Sequence, residues 1–545
     1  MASDSEALQG LYDKHCVQGF KYAYGTAGFR YNADVLDTVM FTTGVLAGLR
    51  SIYLGGKTVG VMITASHNPP QDNGVKIVDP RGEMLEKSWE SYATELANSA
   101  SQNFASFQNK LKELLEILKL DLMTPGCVAV ARDSRDSGPR LLAAFKTGTE
   151  VLANLQVTDH GVLTTPQLHF LTCKTNDLGQ GAVIAETLYF KEFLSAWDEL
   201  TMLCNIQSLP YKIRIDAANG VGAPKVEEML GARSFFDNTF TVVNGDWKNP
   251  PALNHLCGAD FVKTNQRLPQ GISGDAKQGP HINCSFDGDA DRVVFYYVNS
   301  VGEFKLLDGD KIATLFAKFF QELLQTAGLR DELQLGTVQT AYANGSSTHY
   351  LEKMLGVPVT CTPTGVKHLH HEAVKFDIGI YFEANGHGTI VFSEKVTELV
   401  TQKFSDASES KDRHNALQLL LVFSKLINQT VGDAISDMLG VMAVLSILKW
   451  TPEQWDNEYT DLPNKLIKVL VPDRTVFKTV NAERQLVSPV GLQQSIDDLV
   501  DKFDNARSFV RASGTEDAVR VYAEAATRQK VEELVTMVGQ LVEKS

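Results

Sequence analysis

Short apolar runs alternate along this chain with longer amphipathic segments. Each run leads into a polar or glycine-containing loop, as a buried strand does where it ends at the edge of a sheet. The runs occupy residues 59–63, 128–131, 212–215 and 378–381. Residues 310–324 carry a broad apolar face at helical spacing, and residues 529–542 are likewise predicted to be helical. The alternation predicts α/β domains with mixed or parallel sheets.

Length and local composition give a first division of the chain. Its 545 residues correspond to about three or four domains on length alone. From residue 466 onward, strands, a loop that contains Arg511 and a final helix predict a small separate α+β domain. Residues 405–415 (SDASESKDRHN) are polar and charged, which predicts a solvated loop.

Charge and cysteine content restrict the partners. Lys and Arg number 51 against 66 Asp and Glu, and the net charge of -15 argues against nucleic acid or an anionic membrane, since both usually require a basic surface. The seven cysteines are an odd number without CxxC spacing, which disfavours a disulfide framework or a zinc site. Without an apolar signal segment or a run of transmembrane length, the sequence predicts a soluble, cytoplasmic protein.

A serine lies in a loop directly after the first apolar run. Residues 64–69 read TASHNP, and the Asn-Pro pair is a turn signal that places Ser66 at the end of the strand. Ligands bind at such loops in α/β sheets. Ser66 would need a base or a metal to become a nucleophile, and His67 and Lys76 are nearby candidates. A serine in a turn is more often a local hydrogen-bonding residue.

Three aspartates form the strongest single signal. Asp287, Asp289 and Asp291 alternate in a loop, so their carboxylates can converge on one hard cation. A calcium EF-hand does not fit, because Arg292 stands where that loop needs glycine and Val298 where it needs glutamate. Oxygen ligands with an open position favour Mg²⁺. A positioned hydroxyl together with a carboxylate metal loop indicates phosphoryl transfer through a phosphoserine.

Two further loops have a functional and a simple structural interpretation. Residues 511–516 (RASGTE), with Arg520 beyond, offer hydroxyls, close backbone N–H groups and guanidinium groups to a phosphate, but a tight hairpin with surface arginines explains them equally well. Residues 383–388 (EANGHG) could bind sugar hydroxyls, although an Asn-Gly hairpin turn is the simpler interpretation on local grounds.

Taken together, these loops resemble those of the α-D-phosphohexomutases. The matching segments occur over nearly the whole chain in the order that the family has them. They are residues 24–30 (YGTAGFR), 64–69 (TASHNP), 72–76 (DNGVK), 287–292 (DGDADR), 364–371 (TGVKHLHH), 383–388 (EANGHG) and 511–517 (RASGTED). The resemblance implies an α/β fold of four-domain phosphohexomutase architecture, with three mixed α/β domains and a C-terminal α+β domain around a central cleft.

Each implied domain contributes one part of the site. The predicted boundaries are residues 1–180 with the phosphoserine loop, 181–300 with the metal-binding loop, 301–440 with the sugar-binding loops and 441–545 with the phosphate-binding loop. By the resemblance Ser66 is the phosphorylated serine, and its phosphate completes the metal site of Asp287, Asp289 and Asp291. His67 and Lys76 are the remaining catalytic candidates.

The resemblance also implies two sets of substrate contacts. The sugar would be held by Thr364, Gly365, Glu383, Ala384 and Asn385. The non-reacting phosphate would be held by Arg511, Ala512, Ser513, Gly514, Thr515 and Arg520. Ala512 replaces the proline that is more usual in the family, which leaves the donors of the loop intact.

Two departures from the common family pattern indicate the branch that acts on acetylated amino sugars. Asn385 stands where serine is common, and residues 131–135 (ARDSR) follow the serine loop instead of preceding it. The implied activity is an intramolecular phosphotransfer that interconverts N-acetylglucosamine 6-phosphate and N-acetylglucosamine 1-phosphate through a phosphoserine and a 1,6-bisphosphate. It would use one Mg²⁺ per active site and a glucose- or N-acetylglucosamine-type 1,6-bisphosphate as primer, and would supply UDP-N-acetylglucosamine synthesis.

Two alternatives remain open on sequence alone. One is a phosphomutase that acts on glucose or mannose phosphates, against which Asn385 and the displaced ARDSR segment argue. The other is a metal-dependent sugar phosphatase or a non-catalytic phosphosugar-binding protein. A phosphosugar is the expected partner in each case, and the oligomeric state stays undetermined.

Overall fold

The computed structural model describes residues 5–25, 27–179, 182–274, 281–404, 410–513 and 517–545. The chain forms two compact units, Met1–Leu306 with Lys425–Ser446 and Leu307–Ser424 with Ile447–Ser545. In the described ranges, no helix has both the length and the apolar character that crossing a membrane requires. All seven cysteines are free thiols.

The first unit begins with a five-stranded mixed sheet of order β1-β3-β2-β4-β5. Strands β1 and β2 each run antiparallel to β3, whereas β2, β4 and β5 are parallel. The strands are β1 Phe29–Asn32, β2 Thr58–Ile63, β3 Asp72–Val78, β4 Gly126–Arg132 and β5 Leu155–Val162. The helices of this region are α1 Ser5–Tyr12, α2 Asp37–Tyr53, α3 Lys87–Gln102, α4 Phe104–Leu118, α5 Gly138–Thr149, α6 Thr165–Leu178 and α7 Thr187–Leu203. Strand β2 is buried along its whole length, because helices cover the sheet.

A second five-stranded sheet has the order β10-β9-β8-β6-β7. Strand β6 is parallel to β7 and β8, and β8 pairs antiparallel with β9. The elements are β6 Lys212–Asp216, α8 Gly222–Gly231, β7 Phe240–Val243, α9 Ala259–Asn265, β8 His281–Phe286, β9 Val293–Val298 and β10 Phe304–Leu307.

The second unit contains a four-stranded mixed sheet of order β12-β11-β13-β14. Strands β12, β11 and β13 are parallel, and β14 is antiparallel to β13. The elements are α10 Gly309–Ala327, β11 Leu335–Thr340, α11 Gly345–His349, β12 Val359–Thr362, α12 Val366–Ala373, β13 Ile378–Phe382, β14 Gly388–Phe392 and α13 Glu394–Phe404. The helices that follow are α14 Lys411–Leu426, α15 Ala434–Leu448 and α16 Pro452–Asp456.

The C-terminal region has an antiparallel sheet of order β15-β19-β18 and a separate hairpin of β16 and β17. Helices α17 and α18 pack on this sheet around a small apolar core. The elements are β15 Asn464–Leu470, β16 Lys478–Val480, β17 Gln485–Ser488, α17 Leu492–Val500, β18 Arg507–Ala512, β19 Ala518–Glu524 and α18 Arg528–Glu543. The α+β organisation predicted from residue 466 onward is therefore confirmed.

The three mixed sheets share one arrangement, which the sequence did not reveal as a repeat. Two parallel strands lie beside an antiparallel hairpin: β7-β6 beside β8-β9, β12-β11 beside β13-β14, and β5-β4 beside β2-β3. In the second and third sheets the hairpin follows the parallel pair along the chain. In the first sheet the hairpin comes first, which explains why residues 131–135, at the end of β4, follow the serine loop.

The strands and helices predicted from the apolar pattern are present, and their ends differ from the predicted ones by at most three residues. The prediction of a solvated loop over residues 405–415 is partly wrong. Its first five residues lie outside the described residues, but α14 begins at Lys411. The polar start of this helix leads into buried Leu417 and Leu420 one turn apart, an amphipathic spacing that a view of residues 405–415 alone does not include.

Candidate functional site

Four of the loops predicted to carry chemistry each connect two antiparallel strands that are neighbours in a sheet, whereas the Thr364–Gly365 loop joins β12 to α12. The serine loop joins β2 to β3, the aspartate loop joins β8 to β9, the Glu383 loop joins β13 to β14, and the Arg511 loop joins β18 to β19. Each loop thus starts from a buried strand that fixes its position. The two-unit division assigns the first two loops to one unit and the last two to the other.

Ser66 is fully buried and directly bonded to the aspartate loop. Its backbone has a φ of 52°, a left-handed conformation that residues with a side chain rarely adopt. The backbone N–H donates to the Thr64 hydroxyl (2.9 Å), and the Ser66 hydroxyl donates to Oδ2 of Asp287 (2.6 Å). The fold therefore joins the predicted nucleophile to a predicted metal ligand across more than two hundred residues of sequence.

The three aspartates form one buried carboxylate cluster. Ligand oxygens of Asp287, Asp289 and Asp291 lie within 4.8 Å of one another, and all three side chains are buried. Burial, and then the charges of Asp291 and Asp289, raise the pKa of the Asp287 carboxyl well above its usual range. The neighbouring carboxylates repel one another, so the cluster favours a bound cation.

Glycine allows the serine and aspartate loops to approach this closely. A Cβ at Gly288 would lie 2.7 Å from the carbonyl oxygen of Ser66. Gly288 separates the first two aspartates, so any larger residue there would push the cluster away from the serine. The backbone N–H groups of Asp291 and Arg292 both donate to Oδ1 of Asp287, which fixes the turn of the loop.

Positive side chains surround the carboxylate cluster. Lys76 Nζ lies 3.1 Å from Oδ2 of Asp291 and 3.5 Å from Oδ2 of Asp289. The charge of Arg292, then burial and the charge of Arg30, lower the pKa of the His67 imidazole to about 2. The structure thus brings both His67 and Lys76 beside the serine–aspartate site, His67 as a neutral ring and Lys76 as an ion-pair partner.

Arg135 supports the serine loop, and sequence reasoning assigned it no role. This buried guanidinium donates to four backbone carbonyls of the loop and its exit, and its Nε donates to Oδ2 of buried Asp133 (3.0 Å). The carbonyls belong to Ser66 (3.0 Å), Asn68 (2.8 Å), Pro69 (2.6 Å) and Asp72 (2.7 Å). Arginine has the planar fork of donors that such a contact needs. The ARDSR segment was noted only for its place in the chain.

Three other supporting residues had no sequence signal. The Thr165 hydroxyl donates to Oδ2 of Asp289 (2.6 Å), and the Asn254 amide donates to the carbonyl of Ser66 (2.9 Å). The first residue of α15, Ala434, donates its N–H to the carbonyl of Ala290 (3.0 Å). Because these residues lie in three distant segments, only the folded chain shows that they belong together.

The two predicted sugar loops lie side by side in the second unit. Glu383 accepts from the backbone N–H of Gly365 through Oε1 (3.2 Å) and from the Asn385 amide through Oε2 (3.2 Å). The side-chain oxygen Oδ1 of Asn385 accepts from the backbone N–H of His387 (2.9 Å), and Ala384 is buried. The side chain of Asn385, which indicates the branch that acts on acetylated sugars, is therefore bonded within its own loop.

The described part of the phosphate loop adjoins the sugar loops through a carboxylate. Oε2 of Glu483 accepts from the hydroxyl (2.6 Å) and the backbone N–H (2.9 Å) of Thr364, and its Oε1 accepts from Nε of Arg511 (2.8 Å). Ala512 ends β18, and the N–H of buried Ser513 donates to the carbonyl of Ala518 (2.8 Å). The predicted contacts Gly514 and Thr515 lie outside the described residues.

Family models match four successive parts of the chain. They are described as Phosphoglucomutase/phosphomannomutase, alpha/beta/alpha domain I (residues 26–104), Phosphoacetylglucosamine mutase AMG1, domain II (180–294) and domain III (308–450), and Phosphoglucomutase/phosphomannomutase, C-terminal domain (466–540). The chain is 55% identical to phosphoacetylglucosamine mutase of Candida albicans over 534 residues, which cover 96% of this chain and 97% of that protein. The chain is also 48% identical to the human phosphoacetylglucosamine mutase, and the matched region covers 95% of this chain and 93% of the human protein.

The chain belongs to the phosphoacetylglucosamine mutase family. A solved N-acetylglucosamine-phosphate mutase of the α-D-phosphohexomutase superfamily, in its product complex, matches with a TM-score of 0.93 and 53% identity over 99% of both chains. The Aspergillus fumigatus N-acetylphosphoglucosamine mutase in complex with GlcNAc-6P and magnesium matches with a TM-score of 0.91 and 44% identity, over 100% of this chain and 99% of that one. The predicted family and its four-domain α/β architecture are therefore confirmed.

Proposed function

We propose that this member of the phosphoacetylglucosamine mutase family interconverts N-acetylglucosamine 6-phosphate and N-acetylglucosamine 1-phosphate. The observation that carries the proposal is the 2.6 Å bond between the buried Ser66 hydroxyl and the carboxylate cluster. A simple binding protein would not need a hydroxyl held against three buried acids. Solved relatives in substrate and product complexes support the same reaction, whose product is a precursor of UDP-N-acetylglucosamine.

The residues of the cluster fit Mg²⁺. Three carboxylates supply oxygen donors within 4.8 Å of one another, and Oδ1 of Asp289 is buried without a hydrogen-bond partner in the described part of the chain. We propose that Asp287, Asp289 and Asp291 hold one Mg²⁺ together with an oxygen of phosphorylated Ser66. When bound there, Mg²⁺ would neutralise negative charge on the transferring phosphoryl group.

The proposed reaction has two transfers that use the same serine. In the first, the 1-hydroxyl of the 6-phosphate substrate attacks phosphorus, the bond to Ser66 Oγ breaks and a 1,6-bisphosphate forms. The hydroxyl proton passes to a base; His67 is the candidate beside Ser66, and its lowered pKa makes it a weak one. The bisphosphate then presents its other end, Ser66 Oγ attacks the 6-phosphoryl group, and the bond from that phosphorus to the sugar 6-oxygen breaks. The 6-oxygen takes up the proton that the base received, the phosphoserine is restored, and the 1-phosphate product leaves. Position and electrostatics supply most of the rate, as in other phosphoryl transfers.

Lys76 has a charge-compensating role in this scheme. Its ammonium group already pairs with Asp289 and Asp291, so it is placed to offset negative charge and not to accept a proton. The loop bonds of Arg135 hold the carbonyls of the serine loop on one side, which aims Oγ of Ser66 at the cluster. Together these contacts preorganise the nucleophile before the substrate binds.

The loops of the second unit would recognise the rest of the substrate. We propose that the Thr364–Gly365 loop, Glu383, Ala384 and Asn385 bind the sugar, and that residues 511–515 with Arg520 bind whichever phosphate is not reacting. Guanidinium groups suit that task, because they bind a phosphate by charge and by paired donors. A solved serine-to-alanine variant of the Aspergillus fumigatus enzyme in complex with glucose 1,6-bisphosphate supports a bisphosphate of that type as primer.

The remaining expectations are proposals of the same kind. We retain the four domains at residues 1–180, 181–300, 301–440 and 441–545, each with one of the loops described above. We also propose a cytoplasmic location and a small phosphosugar as partner, and the acidic composition supports the absence of a nucleic acid or membrane partner.

The decisive experiment compares two substrates. The purified protein with Mg²⁺ and a trace of the matching bisphosphate is given N-acetylglucosamine 6-phosphate or glucose 6-phosphate, and the 1-phosphate is measured. We expect a strong preference for the acetylated sugar and retention of phosphate on the protein. Preference for glucose would reject the assigned substrate, and steady release of inorganic phosphate would indicate a phosphatase.

A further inference from the structure

One carboxylate outside every predicted motif contacts two of the proposed binding loops. Glu483 lies in the turn between β16 and β17. One of its oxygens accepts both donors of Thr364, at 2.6 and 2.9 Å, and the other accepts Nε of Arg511 at 2.8 Å. Glu483 is therefore the direct link between the loop proposed to hold the sugar and the arginine proposed to hold the phosphate.

The contact is charged and largely shielded from solvent. The side chains of Glu483 and Arg511 are 18% and 24% exposed. Burial acts to raise the pKa of the Glu483 carboxyl, but the bonds from Thr364 and the charge of Arg511 outweigh it, and the pKa lies below its usual range. Glu483 is thus ionised at neutral pH, and the bond to Arg511 is a charge-assisted one of the stronger kind.

The turn that carries Glu483 has an unusual backbone. Asn481, Ala482 and Glu483 follow one another with φ values of 53°, 55° and 66°, although none of them is glycine. Residues with a Cβ adopt this left-handed region only where the surroundings hold them there. Arg484 does so by donating to the backbone and side-chain carbonyls of Asn481, at 3.1 and 2.8 Å. The turn fixes the direction of the Glu483 side chain.

Arg511 requires a partner because another arginine lies opposite it. Arg511 on β18 pairs in register with Arg520 on β19. Like charges directly opposite each other in an antiparallel pair repel. Glu483 offsets this repulsion through the Nε edge of the Arg511 guanidinium, and a phosphate can be bound through the terminal nitrogens at the other edge.

We infer that Glu483 is a positioning residue that fixes Arg511 for the substrate phosphate and couples it to the Thr364 loop. The sugar and its distant phosphate are then recognised by one connected unit, Thr364–Glu483–Arg511. This inference rests on the proposed mutase function, in which Arg511 grips the non-reacting phosphate. It adds a residue that contacts the loops and not the reacting atoms.

The test combines three variants with two readouts. Glu483→Gln keeps the shape of the side chain, but its amide group faces either Thr364 or Arg511, both of which are themselves donors. Glu483→Asp keeps the charge on a side chain that is one methylene shorter. Glu543→Gln at the exposed end of α18 is the control, since it makes the same charge change. KM and kcat are measured for N-acetylglucosamine 6-phosphate, and its binding is measured by calorimetry in a Ser66→Ala background that cannot turn over.

We expect Glu483→Gln to raise KM and the calorimetric Kd about tenfold, because one charge-assisted bond is lost. The values of kcat and of the melting temperature should stay close to those of the unmodified protein. Glu483→Asp should have a smaller effect of the same kind, and Glu543→Gln should have none. Because Glu483 acts through Arg511, the double variant Glu483→Gln/Arg511→Ala should bind no more weakly than Arg511→Ala alone.

Several results would overturn the inference. Unchanged or tighter binding by Glu483→Gln would show that Glu483 is dispensable or competes with phosphate. A fall in kcat and melting temperature without a change in Kd would show a purely structural role, and additive effects in the double variant would separate Glu483 from Arg511. If Glu483→Gln does not fold, an unchanged Kd in Glu483→Asp would have the same meaning.

The calorimetric readout separates this inference from the proposed function. It does not depend on turnover, so failure of the unmodified chain to isomerise the substrate would reject the reaction and leave the binding test valid. If the unmodified chain isomerises the substrate and Glu483→Gln behaves like it, only the role of Glu483 fails.

Discussion

The serine–aspartate site of the first unit and the binding loops of the second differ in how their polar groups are held. Ser66 and all three aspartates are buried, and their bonds come from β3, the segment that follows β4, α6 and the Asn254 segment. The loops of the second unit are half-buried, and two carboxylates, Glu383 and Glu483, hold them together. One site is fixed from many sides, whereas the other depends on a few bonds within and between loops.

This difference matches the tasks proposed for the two regions. Phosphoryl transfer requires a nucleophile and charges that do not move, because a small misplacement removes most of the rate. The binding loops must accept a sugar with its phosphate at either end, which a less enclosed set of donors can do. Changes in the first region should therefore lower kcat, and changes in the second should alter KM or substrate preference.

The largest effect should come from Ser66→Ala. Without the nucleophile, kcat should fall by at least about 10³-fold, because both proposed transfers go through Ser66 Oγ. Substrate binding should persist, since the binding loops are untouched. Turnover and calorimetric binding measured on the same preparation check both statements, and full activity in this variant would remove the phosphoserine from the scheme.

Asp289→Asn should be next in size. Mg²⁺ that binds only the folded protein raises its stability, by about 2.7 kcal/mol at a hundredfold excess over Kd. We expect Mg²⁺ to raise the melting temperature of the unmodified protein and to have little effect on the variant, with kcat reduced about 10²-fold. A melting temperature of the variant that responds to Mg²⁺ as before would exclude Asp289 from the metal site.

Arg135→Lys tests whether positioning alone matters at the buried site. Lysine keeps the charge near Asp133 but cannot donate to four carbonyls of the loop, so the position of Ser66 should loosen. We expect kcat to fall roughly 10–100-fold with KM nearly unchanged, because the binding loops do not involve this residue. A change in KM instead of kcat would contradict the expectation that changes in the first region affect kcat and changes in the second region affect KM.

The smallest effect should come from Asn385→Ser in the binding loops. The amide of Asn385 bonds to Glu383 and His387 in its own loop, so serine would loosen the loop and shorten its reach. The ratio of kcat/KM for N-acetylglucosamine 6-phosphate to that for glucose 6-phosphate should fall about tenfold or less, because one such contact contributes about 1 kcal/mol. An unchanged ratio would mean that Asn385 does not set the preference.

The sequence predicted the elements and loops well where the signal is local. The strand before Ser66, the strand over residues 212–215 and the helix from residue 310 follow from the apolar pattern, because burial of one strand or one helix face leaves that pattern in adjacent residues. The three aspartates could be recognised as a cluster for the same reason, since their spacing alone brings their carboxylates to one side of a loop.

The supporting residues could not be predicted, because they are defined by contacts between distant segments. Asn254 and Thr165 are ordinary polar residues in the sequence, and only the folded chain places them on Ser66 and Asp289. Glu483 lies in a turn that carries no motif. Residues 411–415 resemble a loop because they are polar, and the apolar positions that indicate a helix come only after them.

The division of the first unit into two segments has a consequence for synthesis of the chain. Lys425–Ser446 belongs to this unit, and within it Ala434 bonds to the aspartate loop and Asp433 accepts the hydroxyl of Tyr189 (2.7 Å). Roughly 120 residues of the second unit are translated between the two segments. At about 5–20 residues per second, a ribosome that has completed the aspartate loop needs many more seconds before the helix that braces it emerges. A nascent chain therefore holds its proposed nucleophile and proposed metal ligands well before it can complete the unit that contains them.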